Sequence, residues 1–130
     1  MDVHLTREAL WYLEGQALDS KAASRGGLLL GHKRGQRFYV EKAFPCRPSF
    51  FLSLANFWAL DRHFHGKIIG FYSLRSRDKN RSRFLQPFAC GKLYLEVRPG
   101  PKKMRFRPWI VDFEKRFFFR RATIFAEGGG

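Results

Sequence analysis

Residues 67–86 read KIIGFYSLRSRDKNRSRFLQ, and the change of character halfway along this stretch decides how the chain is read. Ile68, Ile69, Phe71 and Tyr72 form a nearly continuous apolar run interrupted by Gly70, the pattern of a strand buried on both faces. From Arg75 onward a cation stands at every second position: Arg75, Arg77, Lys79, Arg81 and Arg83. A core strand that opens into a charged loop is where many folds carry their working residues.

The rest of the composition frames that stretch. At 130 residues and 45% hydrophobic content, with 15 Phe, the chain is expected to be one domain with a substantial core over residues 1–126. Residues 127–130 are expected to form a flexible glycine tail. The formal charge of +14 is concentrated. Residues 62–121 hold 17 Lys/Arg against Asp78, Glu96, Asp112 and Glu114, a net of +13. Such a face favours acidic partners. Cys46 and Cys90 stand alone, so neither a zinc ribbon nor a redox pair has support. The first residues lack the pattern of a secretion signal, and no run reaches the roughly 18 apolar residues of a membrane span. A cytoplasmic protein with no membrane contact is expected.

In order, Thr6 is a candidate N-cap for a helix over Arg7–Asp19, with Ala9, Leu10, Leu13, Ala17 and Leu18 at helical spacing. Gly26–Gly31 reads as a strand and residues 33–36 as a hairpin turn, with Arg37–Ala43 returning. Pro45 and Pro48 interrupt the pattern. Ser49 is expected to cap a second helix through Phe50, Leu54, Phe57, Trp58 and Leu60, ending near Gly66. Lys92–Arg98 alternates Leu93, Leu95 and Val97 against Lys92, Tyr94, Glu96 and Arg98. A turn over residues 99–103 precedes a strand at Met104–Phe113. Arg116–Ala126 reads as one further strand.

This order of elements resembles the JAB/MPN (Mov34/PAD-1) domain, on the strength of the Gly26–Gly31 and Lys67–Tyr72 segments, and the similarity extends from Leu5 to about Ile124. The resemblance implies an α/β, JAB/MPN-like (cytidine-deaminase-like) mixed β-sheet flanked by helices. Active members of that family are zinc isopeptidases acting on ubiquitin-like conjugates. Their signature is an upstream glutamate, then Gly-Phe-Tyr-His-x-His-Pro, then Ser-x-x-Asp, in which two histidines and the aspartate hold zinc and the glutamate serves as base. In this chain the corresponding positions are Ser24, Ser73, Arg75 and Gln86, with Ser76 for the proline and Arg83 for the serine. A one-residue gap would bring Ser82 to the serine position without restoring a carboxylate. Arginine cannot become a ligand. The resemblance therefore implies a pseudoenzyme with no cofactor.

Other chemistry is weaker. His63 and His65 form the one His-x-His, but at a helix end such residues point apart and face the dipole. Ser73 lacks the Gly-x-Ser-x-Gly setting of a nucleophile, and His32 reads as a hairpin surface residue. The glycines at 26, 27 and 31 bracket a strand and do not open a helix, so a nucleotide loop fails its context. Gly128–Gly130 resembles the end of a ubiquitin-like modifier, but the residues before it do not. If residues 75–83 are extended, the five cations share one side at about 6.6 Å intervals, close to the repeat of a nucleic-acid backbone.

The leading expectation is thus a non-catalytic interaction or scaffold module. Its implied partners are another JAB/MPN-like domain, in a homo- or hetero-dimer, or a ubiquitin-like protein. Trp11, Tyr12, Phe50, Phe51 and Phe117–Phe119 are the candidate contacts. The alternative is a basic nucleic-acid-binding domain on the same fold, and a metal-dependent isopeptidase with relocated ligands ranks below both.

Overall fold

A computed structural model describes residues 1–19, 26–47, 51–74 and 81–126. Its chain order is β1 (Asp2–Leu5), α1 (Arg7–Leu18), β2 (Gly26–Arg34), β3 (Arg37–Pro45), α2 (Leu54–His63), β4 (Ile68–Leu74), β5 (Leu93–Pro99), β6 (Met104–Phe113), β7 (Phe117–Arg121) and β8 (Thr123–Ala126). Two short 3₁₀ turns, Ser82–Phe84 and Pro87–Ala89, lie between β4 and β5. All eight strands form one mixed sheet in the order β7-β6-β5-β4-β2-β3-β1-β8.

β7 and β8 stand at opposite ends of that order, yet only Ala122 separates them in sequence. The chain therefore carries the last strand from one sheet edge to the other. Ala122 donates its N–H to the Pro108 carbonyl, and Thr123 donates to that of Met1. β8 pairs parallel with β1 and lies beside β6, so the sheet is nearly closed on itself. The single strand expected over Arg116–Ala126 is two. No glycine or proline marks the break, because the chain changes partners there and does not turn back.

The helices take opposite sides of this curved sheet. Ala9, Leu10, Leu13 and Ala17 of α1 pack with Val3, Leu5, Phe38, Val40, Leu95, Val97 and Ile110. The Thr6 hydroxyl accepts the Ala9 N–H at 3.2 Å, the cap expected from sequence, and donates to the Glu41 carbonyl at 3.1 Å. α2 and the two 3₁₀ turns cover the other face, where Phe51, Phe57, Phe84 and Phe88 pack on Phe71, Tyr94, Trp109 and Val111. The ring of Phe71 stacks on Phe51 with centroids 5.2 Å apart.

Two local expectations change, and one strand is new. Ser53, not Ser49, caps α2, its hydroxyl accepting the Asn56 N–H at 3.2 Å; Ser49 itself lies outside the described residues. Of the apolar positions expected on this helix, Leu54 and Trp58 are exposed, since α2 lies on the outside and buries essentially Phe57. β1 was not anticipated: four residues are too short for a period, and its partners lie far along the chain. No helix among the described residues is long and apolar enough to cross a membrane.

Candidate functional site

β4 sits between β2 and β5, and its register lays out the candidate site. Ser73 is opposite Gly26 on one side and Glu96 on the other, and Glu96 is opposite Arg107. Successive same-face positions add Phe71, Tyr94, Trp109 and Arg121 in one row, and Arg98 with Arg105 in the other direction. Gly26, Ser73, Glu96 and Arg107 therefore share the outer face of the sheet, at the end where the basic stretch leaves β4.

The chemistry of this end is set by Glu96. It is the one charged side chain buried among the described residues, at 2% exposure. Arg81 Nε lies 3.5 Å from one of its carboxylate oxygens and Arg98 Nη2 3.9 Å from the other. The Arg81 guanidinium is also held over the Trp109 ring, 4.5 Å from its centroid, with Phe119 at 5.9 Å. A planar cation between a carboxylate and an indole face is a mutually reinforcing arrangement. Alternation along β5 sets Tyr94 and Glu96 against Leu93, Leu95 and Val97. Both faces are in fact covered, so Tyr94 and Glu96 are as buried as Leu93 and Leu95. The signal in sequence was a lone carboxylate inside an apolar run, in a half of the chain dominated by cations.

The other expected positions fall out as follows. Ser73 is half-buried beside Glu96. Gln86 turns its side-chain amide onto the Arg83 carbonyl at 2.7 Å. Ser24, Arg75, Arg77 and Lys79 lie outside the described residues. The extended geometry proposed for residues 75–83 does not hold at Ser82–Phe84, which is a 3₁₀ turn. Nor does Arg81 line up with Arg83: Arg81 is drawn onto Glu96 and Trp109, whereas Arg83 is exposed. Tyr72 projects its hydroxyl into the opposite core, where it meets no hydrogen-bond partner among the described residues. Burial pushes its phenol far above the ordinary value, with Tyr12 and Cys46 adding to the shift.

Among the described residues, Ser73, Gln86 and the neighbouring Glu96 do not fit a zinc ion. Ser73 offers a neutral hydroxyl, the Gln86 amide is engaged, and the nearby carboxylate is already shared by two guanidinium groups. A divalent cation would have to displace one arginine and tolerate the other. His63 ends α2 with its ring edge-on to Phe64, and His65 follows at φ 55°; both are exposed.

What distinguishes this end is unbalanced charge. Arg105, Arg107 and Arg121 are exposed on the face that carries Glu96, and among the described residues none has a carboxylate partner. Arg120, on the opposite face, is paired with Asp112 at 2.9 Å. The apolar contacts expected at the surface are largely spent in packing: Phe51 is fully buried, and Tyr12 and Phe117–Phe119 are half-buried. Trp11 remains exposed, while Phe50 lies outside the described residues.

No family model matches the chain, and no curated protein matches it. Among solved structures, it is similar to the solution structure of protein DSY2949 from Desulfitobacterium hafniense, with a TM-score of 0.61 at 16% identity. The match covers 96% of this chain and 94% of that one. At that identity the likeness concerns the fold alone.

Proposed function

We propose that the chain is a non-catalytic JAB/MPN-like domain, a pseudo-isopeptidase that works as an interaction or scaffold module. The observation that carries this reading is the ion-paired cluster beside Ser73. Where the resemblance calls for ligands around an open metal position, this chain has a serine, a buried glutamate and the Arg81 guanidinium stacked on Trp109. A ubiquitin-like conjugation system is the setting the resemblance implies. In equilibrium dialysis against Zn²⁺ the protein should take up no stoichiometric metal. Uptake of about one ion per chain, lost on Ser73→Ala, would reverse this reading.

A second reading concerns the partner, and Arg105, Arg107 and Arg121, which have no carboxylate partner among the described residues, favour it. Arg105 and Arg107 stand about 6.8 Å apart along β6. Arg98, opposite the first, is already engaged with Glu96, and Arg121 lies one row beyond the second, opposite Trp109. Exposed like charges this close repel one another modestly in the folded state, so an acidic polymer laid across β5–β6–β7 would relieve a standing cost. A single-stranded nucleic acid matches the spacing. Affinity for a short oligodeoxythymidine should fall with salt. Replacing Arg105, Arg107 and Arg121 by Ser should make the log–log slope shallower by about 2, at roughly 0.7 per lost phosphate contact. A slope unchanged by the triple replacement would return this face to ordinary solvated surface.

A further inference from the structure

At the other end of the β4–β5 pair the sheet opens into a cavity of about 530 Å³. Its origin is two irregularities in β2: the register shifts between Leu29 and Leu30 against β4, and between Leu30 and Gly31 against β3. Pairing of β2 with β4 stops at Leu30, while β2 runs on to Arg34 with β3 alone. The strands diverge and leave a wedge, at whose apex the Gly31 N–H still donates to the Lys67 carbonyl at 3.0 Å. Bulges of this kind often re-aim strands next to binding sites. The wedge is rimmed by Gly31, Gly66 and Gly91, which put no side chain into the mouth.

The side chains that line it are mostly cationic. Lys33, Lys67 and Lys92 contribute three ammonium groups; no carboxylate lies within ion-pair distance of any of them among the described residues, and Asp112 and Asp61 act on Lys33 and Lys92 only at longer range. Two are held in place: Lys33 over the Phe38 ring at 5.1 Å, and Lys92 over Phe57 at 5.4 Å with its ammonium donating to the Ile68 carbonyl at 3.1 Å. Burial lowers the Lys92 pKa, Asp61 opposes that shift, and the Lys33 charge adds to it. His32 is fixed too, stacked on Tyr39 at 4.9 Å and bonded through Nδ1 to Glu41 at 2.7 Å. That contact occupies the one acid of the lining.

We infer that this wedge binds the phosphate group of a small phosphomonoester, with Lys33, Lys67 and Lys92 facing the anion and His32 beside it. Lysine is a point-charge partner suited to a tetrahedral dianion. The volume lies within the ~300–1,000 Å³ of small-molecule sites, so a phosphate alone would leave room for the body of a ligand. This site shares no residue with the arginine face, and its test is independent of that reading.

The experiment is an ¹⁵N amide titration with inorganic phosphate at fixed ionic strength. Saturating shifts of the Gly31, Gly66 and Gly91 amides are expected, with Kd on the order of 1 mM. Lys33→Ser/Lys67→Ser, both exposed and safe for folding, should weaken binding at least about tenfold. Lys102→Ser/Lys103→Ser, in the β5–β6 turn, should leave it unchanged. Ribose 5-phosphate should bind more tightly than inorganic phosphate. Equal weakening by the two lysine pairs, or shifts that never saturate, would assign the effect to the diffuse field of the whole chain and overturn the site. Acetate binding the same amides as tightly would overturn the phosphate class. Equal affinity for phosphate and ribose 5-phosphate would overturn the larger ligand.

Discussion

Glu96→Gln should lower the unfolding free energy by about 3 kcal/mol, the usual cost of stripping one partner from a buried pair. The magnitude rests on Arg81, whose side chain is 22% exposed and cannot regain full hydration without leaving Trp109. Arg98, at 42% exposure, is screened by solvent and adds little. Urea denaturation reads the effect directly. Adding Arg81→Met to the variant should recover part of the loss, since an apolar side chain of similar length keeps the contact with Trp109 without a stranded charge. A loss below about 0.5 kcal/mol, the level of an ordinary surface substitution, would mean that Glu96 does not hold this end of the sheet together.

A comparable loss is expected from Gly70→Ala, for a purely steric reason. A Cβ at this position would collide with the Leu93 carbonyl oxygen and lie 2.7 Å from the Leu93 Cβ. Both obstacles belong to β5, which is paired to β4 in register at this point and closed in by β6 behind it. Neither can swing aside as a side-chain tip could. Relief requires parting the two central strands, at about 3 kcal/mol or more by the scale of overpacked cores. Thermal unfolding followed by circular dichroism should show a lowered midpoint. An unchanged midpoint would contradict the Gly70–Leu93 register.

These two residues also show what could be read in advance. Gly70 sits in a run whose apolar pattern identified β4 as a core strand, and β4 lies in the middle of the sheet. The Thr6 cap was equally legible, because capping depends on a few adjacent residues. Glu96 was not legible: alternation cannot reveal that a strand is covered on both faces by elements elsewhere in the chain. The same limit explains β1, whose four residues acquire meaning only beside β3 and β8. In the candidate site, Ser73 and Gln86 are the positions that the resemblance marks along one stretch. The convergence of Arg81, Glu96 and Trp109 from three separate segments does not. Nor does the wedge at Gly31, since a register shift depends on how two strands meet.

The handover at Ala122 has a consequence for biosynthesis. β1 emerges from the ribosome ahead of β3 and can pair with it soon after Val40 appears. Its other neighbour, β8, comes only with residues 123–126. Pairing across so many intervening residues is slow to form, because the loop must close before any contact rewards it. Until β8 arrives, then, the outer edge of β1 is an open row of backbone donors and acceptors, able to pair with another nascent chain. The four residues of β8 are the ones that end that exposure.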